Sequence, residues 1–395
     1  VSGMRIGIDG ACWQNRRGFG RYARSLLTAI FDEPRGHEFV VFVDHDPNPD
    51  LLRRCVTPVR VDTNAQVTEA AIAGARRSVV DLWRFRNAVR RQSLDVMYFP
   101  AVYSWYPTGG QAPTVITFHD AIAERYPHLV FPDLAGRFMW SAKLWLAART
   151  ATQFTTVSCA AREEIVQYLG IPRERIAVML EAADPRFSPV ADPERLTAVR
   201  RKLGLSCDAR LLLYVGGFAP HKNLIRLIDA FAAARATPAA QDVHLVFVGD
   251  PKGDGFHSNY EEIKARSNGH PSLAGRVFFT GFVSDEDLTA VYSDALAVAM
   301  PALSEGFGLP AAEAIACGTP VIATRGGAVE EIVRSAGLFF DPLDIADMAR
   351  VITAVAQGGE ALETVRSACL PRAAQMSWRT CADQMLDLLE RVGSR

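Results

Sequence analysis

The chain has 395 residues, of which 49% are hydrophobic and 22% are charged, with 43 Lys and Arg against 44 Asp and Glu. This composition is typical of a globular protein and excludes disordered and fibrous architectures. A formal charge of −1 gives no net field to hold a polyanion, which argues against extensive nucleic-acid binding. At roughly 100 to 200 residues per domain, the length predicts two domains.

The cysteines and the apolar runs indicate a cellular compartment. Seven cysteines are scattered along the sequence without a C-x-x-C pair, which favours free thiols and a reducing environment. The first ten residues lack the layout of a signal peptide, and the best apolar run, residues 138–148, is short and contains Lys143. We therefore expect a cytoplasmic protein.

Short apolar runs rich in β-formers alternate with helical stretches in two series. The first series comprises residues 4–9, 39–44, 96–101, 114–120, 154–158 and 176–180. The second series comprises residues 211–217, 244–250, 277–282, 295–302, 320–327 and 337–341. Continuous apolar strands that alternate with helices form parallel sheets covered on both faces. The sequence therefore predicts an α/β protein with two doubly wound, Rossmann-like domains.

A linker and a terminal helix set the predicted boundaries. Residues 181–195 contain three prolines and no periodicity, as a linker between domains does. We therefore predict domains over 1–185 and 186–376. Residues 377–395 follow the second series and carry apolar side chains at helical spacing, which predicts a separate helix.

In the first domain, two loops after strands carry candidate functional residues, because ligands of open parallel sheets bind outside the carboxyl ends of the strands. Gly18 and Gly20 open a helix whose free N–H groups can approach a phosphate or a sugar; the alternative is a flexible turn. His119 and Asp120 end the fourth strand, as a hydrogen-bonding or acid/base pair or as a satisfied turn.

In the second domain, Lys222 stands at the start of a helix, where its charge meets the positive end of the helix dipole. This placement favours an anionic ligand between them, and a solvated lysine is the alternative. After a later strand, Glu305 and Glu313 flank Gly308 and Leu309, whose backbone N–H groups are predicted to face a diphosphate. Carboxylates suit hydroxyl-rich ligands because they accept several hydrogen bonds.

These motifs, taken together, resemble those of one enzyme family. The Glu-x7-Glu pattern of residues 305–313 is joined by GFGRY (18–22), FHD (118–120), PHKN (220–223) and TRGGAVE (324–330). In this order they resemble the retaining, family-4 group of GT-B glycosyltransferases. Within that group, the motifs of this sequence are most similar to those of bacterial mannosyltransferase-type members that build surface polysaccharides or glycolipids.

The resemblance implies a GT-B fold, in which two Rossmann-like domains face each other across a cleft and the last helix crosses back to the first domain. It implies a nucleoside-diphosphate-sugar donor held mainly by the C-terminal domain, and a glycan or lipid-linked acceptor at the N-terminal domain. The anomeric configuration is expected to be retained, with no cofactor, no metal and no assigned covalent nucleophile.

The resemblance also implies roles for residues on the donor side. Glu305 is expected to contact the hydroxyl groups of the transferred sugar, Glu313 the ribose, and Lys222 the diphosphate. The expected backbone donors are those of Phe307, Gly308 and Leu309.

Further implied roles concern the other loops. His119 is expected at the reaction centre on the acceptor side, with Asp120 as an acceptor-side candidate. Gly18 and Gly20 are expected to let the first loop close on the donor phosphates. The residues expected near the base are Gly249 and Val283.

One position departs from the family pattern. Many members pair an Arg with the Lys to hold the diphosphate, whereas this chain has Gly217 at the Arg position. The sequence offers His221 or an Arg elsewhere as a replacement.

Two other functions compete with the glycosyltransferase interpretation. Residues 18–23 match the G-x-G-x-x-A fingerprint of an NAD-dependent dehydrogenase, and Asp44 lies where a ribose-binding acid belongs. Against this interpretation, about eight residues separate the first strand from Gly18, where the fingerprint needs a tight turn. A non-catalytic sugar-nucleotide-binding protein is the second alternative.

Two further patterns bear on metals and membranes. The strings at 44–46 and 285–287 have the form Asp-x-Asp, but such strings are expected by chance, and we assign no metal to them. Residues 76–91 carry six Arg against one Asp, interleaved with apolar and aromatic residues. They predict a basic amphipathic helix that either lies on an anionic membrane surface or packs as an ordinary helix.

Overall fold

The candidate residues lie on two parallel sheets, in the loops and helices that follow the carboxyl ends of the strands. The structure is a computed structural model, and it describes residues 3–15, 18–63, 78–131, 133–251 and 258–394. The contacts divide the chain into a first unit, Val1–Glu181 with Ser377–Arg395, and a second unit, Ala182–Met376. The division after residue 181 falls four residues before the boundary expected from the sequence.

The sheet of the first unit has the strand order β3-β2-β1-β4-β5-β6-β7, and its recorded pairings are all parallel. Its strands are β1 (Arg5–Asp9), β2 (Glu38–Val43), β3 (Val56–Arg60), β4 (Val96–Phe99), β5 (Thr114–Thr117), β6 (Gln153–Thr156) and β7 (Ile176–Val178). The central strands are buried along their whole length, as an apolar parallel sheet covered on both faces requires.

Helices connect these strands. They are α1 (Gly18–Asp32), α2 (Val79–Arg90), α3 (Ile122–Arg125), α4 (Pro127–Val130), α5 (Leu134–Thr150) and α6 (Cys159–Leu169). Local signals fix their ends: the Ser158 hydroxyl accepts from the backbone N of Ala161 before α6, and Gly170 ends it with φ +65°. The helix predicted over 76–91 is α2, which begins after Ser78; residues 76 and 77 lie outside the described residues.

The sheet of the second unit has the order β10-β9-β8-β11-β12-β13. Its strands are β8 (Arg210–Val215), β9 (Val243–Val248), β10 (Val277–Gly281), β11 (Ala295–Met300), β12 (Val321–Thr324) and β13 (Gly337–Phe340). The two parallel sheets and their crossover helices confirm the predicted α/β fold class.

The helices of the second unit follow the same alternation. They are α7 (Pro193–Lys202), α8 (Leu224–Ala234), α9 (Tyr260–Asn268), α10 (Asp285–Asp294), α11 (Leu309–Ala316), α12 (Ala328–Val333), α13 (Ile345–Gln357), α14 (Glu360–Ser367) and α15 (Cys369–Ala373). The buried core on one face of this sheet is built from apolar residues of α8, α13 and the strands that they cover.

The last helix, α16 (Trp378–Gly393), packs within the first unit, against α1 and β4. Its apolar side is buried, and its polar side holds ion pairs from Asp383 and Asp387 to Arg35 at 2.7 and 2.6 Å. Nε2 of the buried His37 lies 2.9 Å from Glu390.

The strand that the sequence analysis missed is β3. It lies at the edge of the first sheet and contains Pro58, which stands opposite Val41 of β2. An edge strand tolerates proline because one side of it has no neighbour to receive an N–H group. Its mixed polar sequence gave no apolar run to recognise.

Candidate active site

The loops after β8 and β11 form the core of the candidate site in the second unit. These two strands are neighbours at the centre of the sheet, and the chain continues from them toward opposite edges. Such a point, where the strand order reverses, opens a crevice at the carboxyl ends of the strands. Lys222 follows β8, and Glu305 follows β11.

Asn223 ties the two loops together. Its backbone is left-handed, with φ +60°, between the short turn Pro220–Lys222 and the start of α8. Its side-chain amide donates to the carbonyl oxygens of Pro301 at 3.1 Å and Pro342 at 2.8 Å. The loop that carries Lys222 is thereby held at a fixed distance from the loop that carries Glu305.

Lys222 and Glu305 form an ion pair. The Nζ atom of Lys222 donates to Oε1 of Glu305 at 2.7 Å, and the two side chains are 21% and 14% exposed. A charge-assisted hydrogen bond of this length orients both groups. The structure therefore brings together two residues to which the family resemblance assigns separate parts of a donor.

His221 does not supply the positive charge that an Arg at position 217 would bring. Its Nδ1 atom is buried and has no hydrogen-bond partner in the described part of the chain. Burial, assisted by the neighbouring Lys222 charge, lowers the pKa of His221 to about 3. The imidazole is thus neutral at physiological pH.

Gly217 leaves open space at the position of that Arg. A Cβ atom at Gly217 would meet no atom of the described structure within 4 Å. The turn is fixed by the buried hydroxyl of Tyr214, which donates to the carbonyl oxygen of Gly217 at 2.5 Å.

The start of α11 requires glycine. Gly308 has φ +93°, and a Cβ there would lie 2.8 Å from Cγ2 of Val329. The amides of Gly308 and Leu309 stand at the helix start, where the N–H groups have no acceptor within the helix. Phe307 is buried beside them. Backbone donors therefore lie in the same loop as Glu305, as predicted from the motif.

Glu313 is held one turn inside α11. Its side chain is almost fully buried, and Oε2 accepts a hydrogen bond from the Tyr292 hydroxyl at 2.9 Å. The sequence analysis did not single out Tyr292. Its buried hydroxyl fixes the orientation of a carboxylate that the family resemblance assigns to the ribose.

Gly249 and Val283 follow β9 and β10. A Cβ atom at Gly249 would lie 2.1 Å from the carbonyl oxygen of Gly216, so close packing of two loops alone requires glycine there. Val283 is buried. The structure shows a packing role for both positions, and their place near the base stays a prediction.

In the first unit, Gly18 and Gly20 occupy the first turn of α1. Gly18 is exposed, and a Cβ on it would meet nothing within 4 Å. Gly20 is buried, and a Cβ added there would lie 2.0 Å from the carbonyl oxygen of Asn15. The close approach at Gly20 is therefore to the loop before the helix, whose residues 16 and 17 lie outside the described residues.

His119 lies just beyond β5 with contacts on three sides. Its Nε2 is 3.0 Å from the carbonyl oxygen of Pro100, and its Nδ1 is 3.7 Å from Oε1 of Glu181. The Tyr22 ring meets the imidazole edge to face, with the centroids 4.7 Å apart. Asp120 accepts from the backbone N of Ile122 at 3.1 Å, which is the turn-forming role that the sequence left open for it.

Glu181 is the residue that sequence reasoning missed in this unit. The sequence pattern predicts it as the first residue of a linker, whereas in the structure it follows β7 by three residues at the carboxyl edge of the sheet. Ligands of open parallel sheets bind outside the carboxyl ends of the strands, and this rule, which pointed to His119, applies equally to Glu181. Burial raises the pKa of the Glu181 carboxyl, and the nearby His119 opposes that shift.

The Asp-x-Asp strings have other partners. Asp46 pairs with Arg60, and Asp287 pairs with Lys202 at 2.5 Å near the start of α10. Within the described ranges, no group of three or more His, Cys, Asp or Glu side chains is arranged to hold a metal ion.

Comparison with protein families then gives the identity. The model described as Glycosyltransferase Family 4 matches residues 16–186, and the model described as Glycosyl transferases group 1 matches residues 197–368. The chain belongs to the family-4 group of glycosyltransferases. The O-antigen chain mannosyltransferase B of Escherichia coli is 28% identical to this glycosyltransferase over 94% of the chain and 95% of its own length.

A second relative is longer than the chain. The serotype-specific mannosyltransferase WbdA of Escherichia coli is 25% identical to this glycosyltransferase over 98% of the chain. The alignment covers only 48% of the length of WbdA. The chain therefore corresponds to about half of that protein.

Solved structures confirm the GT-B fold of the glycosyltransferase. Sucrose-phosphate synthase from Thermosynechococcus elongatus has a TM-score of 0.75 and 21% identity, with 99% of both chains covered. HepE of Anabaena, crystallised with UDP and glucose, has a TM-score of 0.74 and 19% identity over 98% of this chain and 100% of its own. In the described part of the chain, no helix is both long and apolar enough to span a bilayer.

Proposed function

We propose that this glycosyltransferase transfers a mannose-like hexose or deoxyhexose from a nucleoside-diphosphate sugar to a glycan or lipid-linked acceptor. The observation that carries the proposal is the Lys222–Glu305 ion pair beside the start of α11. Support for the sugar comes from the relative named as an O-antigen chain mannosyltransferase. Support for a nucleoside-diphosphate donor comes from the UDP in the HepE structure.

The leaving diphosphate is stabilised by fixed charges and dipoles. As the glycosidic bond breaks, negative charge grows on the diphosphate, and Lys222 with the amides of Gly308 and Leu309 would receive it. These groups are fixed before the reaction, because Asn223 holds the Lys222 loop and Gly308 shapes the helix start. We therefore propose that neither a metal nor a cofactor is needed.

Glu305 is the group proposed to hold the sugar. Its carboxylate can accept hydrogen bonds from sugar hydroxyls once Lys222 turns toward the diphosphate. Glu313, oriented by Tyr292, is proposed for the ribose, and His119 for the acceptor side. We propose retention of the anomeric configuration, with a donor phosphate oxygen taking the proton of the attacking hydroxyl on the face from which the diphosphate leaves.

The test has a binding step and a transfer step. Thermal shifts with GDP, UDP, dTDP and ADP in EDTA should show one nucleoside diphosphate that raises the melting temperature, because a ligand of the folded state stabilises it. The corresponding sugar donor should then give a glycosylated acceptor of unchanged anomeric configuration. Melting temperatures unmoved by all four nucleotides, or transfer that needs a divalent cation, would contradict the proposal.

The two alternatives give different outcomes in the same experiment. A non-catalytic sugar-nucleotide-binding protein would show the thermal shift but neither transfer nor donor hydrolysis. An NAD-dependent dehydrogenase would bind NADH, which a fluorescence titration detects. The glycosyltransferase family matches leave the dehydrogenase interpretation without support.

We also propose that the enzyme works on the cytoplasmic face of a membrane, as a peripheral protein. The predicted basic helix α2 exposes Val79, Val80 and Trp83, while Phe85 and Val89 face the core. One face of this helix packs against the protein core, and a second apolar face is exposed to solvent. Such a helix is suited to lie at the interface between membrane and water.

Helix α5 presents exposed apolar residues of its own. Leu134, Phe138 and Trp145 lie at helical spacing and are 81%, 74% and 60% exposed. The charged residues of α5 are Arg137, Lys143 and Arg149, with no acidic side chain between Leu134 and Thr150. Cations beside exposed aromatic rings favour a surface of anionic lipid.

Liposome sedimentation tests this location. Wild-type protein should sediment more with vesicles that contain anionic phospholipid than with neutral ones, and Trp83→Ala with Trp145→Ala should reduce the bound fraction. Phe282→Ala is the matched control, because Phe282 is at least as exposed as the two tryptophans but lies in the second unit. Equal sedimentation with both lipid mixtures would remove the membrane proposal.

A further inference from the structure

The buried pair of His119 and Glu181 carries an inference about how His119 is held and what it can do. The two side chains are 10% and 4% exposed, and Nδ1 lies 3.7 Å from Oε1. This separation is longer than a hydrogen bond but within the range of an ion pair. No other opposite charge is recorded near Glu181 among the described residues.

The opposite side of the ring fixes the tautomer. The carbonyl oxygen of Pro100 can only accept a hydrogen bond, so Nε2 at 3.0 Å from it must carry a hydrogen. A neutral His119 then has a bare Nδ1, and a second proton can only be placed at Nδ1 or on the Glu181 carboxyl. With either placement the two residues hold one extra proton between them.

The titratable groups around the pair lie on α1, on α16 and on the loop of His119 itself. Tyr22 on α1 meets the imidazole ring, Cys381 on α16 faces Glu181 and Tyr22, and Asp120 adjoins His119 on its own loop. Burial raises the pKa of both Tyr22 and Cys381, which keeps these two groups neutral at pH 7. Glu181 is therefore the buried negative charge that can stabilise a proton on His119.

We propose that Glu181 is a positioning residue for His119: the two residues hold one extra proton between them, on Nδ1 or on the Glu181 carboxyl, which keeps Nδ1 turned toward Glu181 while Nε2–H donates to Pro100. His119 then does not act as a general base, because Nε2–H is bound to Pro100 and Nδ1 faces the proton held with Glu181, so neither nitrogen is free to take a proton from an acceptor. The role of His119 in transfer rests on the proposed function, whereas the proton held by His119 and Glu181 does not depend on it.

Nuclear magnetic resonance of ligand-free protein tests the shared proton directly. In wild type, the imidazole nitrogens of His119 should show a protonated Nε2 at all pH values and one titration step for the pair. In Glu181→Gln, the midpoint of that step should fall by at least about one pH unit, a tenfold loss of proton affinity, because a buried imidazolium loses its counter-ion.

Glu124→Gln is the matched control. Glu124 is a half-buried carboxyl of the first unit, but it accepts from the indole N–H of Trp140 at 2.6 Å. Its substitution should leave the His119 midpoint unchanged. A midpoint equal in wild type and Glu181→Gln, or a bare Nε2 in wild type, would overturn the proposal.

Kinetics separate this inference from the proposed function. In Glu181→Gln, kcat at pH 8 should fall by about tenfold or more, with the donor KM unchanged, and the alkaline limb of the kcat profile should move to lower pH. Unchanged kcat alongside the shifted midpoint would refute the role of His119 in transfer and leave the shared proton intact. A wild type inactive with every donor would refute the proposed function alone.

Discussion

The Nζ atom of Lys222 lies 2.7 Å from Oε1 of Glu305, although 83 positions separate the two residues in the sequence. Lys222 lies in the loop after β8 and Glu305 lies in the loop after β11, and these two strands are neighbours at the centre of one sheet. A diphosphate that binds Lys222 therefore competes with Glu305, and its arrival frees that carboxylate for the hydroxyl groups of a sugar. Under the proposed function, the ion pair couples the contact to the diphosphate with the contact to the sugar.

Replacing Lys222 tests the diphosphate contact. We expect Lys222→Ala to weaken nucleoside-diphosphate binding by about tenfold to a hundredfold, because a charge-assisted contact of roughly 1.5–3 kcal/mol is lost. Isothermal titration with the nucleotide identified by thermal shift measures the change. Lys264→Ala removes an exposed lysine of α9 and should bind as wild type does. Equal affinity in both variants would rule out the contact.

Replacing Glu305 tests the sugar contact. Glu305→Gln keeps the shape but removes the charge, and we expect kcat to fall by about a hundredfold while the free nucleoside diphosphate binds at least as tightly, because Lys222 is released. Steady-state transfer assays and nucleotide titration give the two quantities. Glu363→Gln, on the exposed side of α14, is the control. Wild-type turnover in Glu305→Gln would refute the assigned role.

Position 217 offers a gain of function. We expect Gly217→Arg to tighten nucleoside-diphosphate binding by about tenfold, because the site has space for a side chain and lacks the second cation of many relatives. Gly217→Glu should weaken binding through like-charge repulsion. Titration calorimetry compares the two variants. Equal affinities would show that this position lies away from the phosphates.

The backbone at Gly308 predicts a stability effect. Gly308→Ala should destabilise the protein by about 1–3 kcal/mol, because alanine is strained at φ +93° and its Cβ would approach Val329 to 2.8 Å. Urea denaturation measures the loss, and Val329→Ala in the same chain should recover the steric part. Gly327→Ala is the control, since its φ of −101° suits any residue. Equal losses in the two alanine variants would contradict the strain argument.

His221 predicts a pH dependence of stability. Its pKa is lowered to about 3 in the folded protein, against an ordinary value of 6.5, so the unfolded chain binds more protons between these values. Stability from this residue is present above pH 6.5 and is lost as pH falls, by about 2 kcal/mol between pH 6.5 and 5. His221→Gln should reduce that loss in urea denaturation at the two pH values. An identical loss in both proteins would place His221 in a hydrated environment.

The strands were predictable because a buried parallel strand must be apolar throughout, and the runs from 39–44 to 320–327 display this directly. Strand β3 was not predictable, because an edge strand with Pro58 needs no such run. The family motifs located Lys222 and Glu305 separately. Their ion pair was not predictable, because it depends on the distance that Asn223 sets between two loops.

Glu181 shows the same limit in the first unit. A carboxylate beside prolines and without periodicity is characteristic of a linker, and that was its interpretation from the sequence. Its meaning comes from the strand order, which places the end of β7 at the same sheet edge as the end of β5. A sequence records which residues follow strands, but only the assembled sheet shows which of them meet.

The placement of α16 within the first unit has a consequence for biosynthesis. The ribosome must polymerise all of residues 182–376 before it reaches the helix that covers α1 and β4. Until then the apolar flank of α1 is left uncovered on the nascent polypeptide, where chaperones can engage it. Maturation of the amino-terminal unit is thus obliged to wait for translation of its carboxyl-terminal helix.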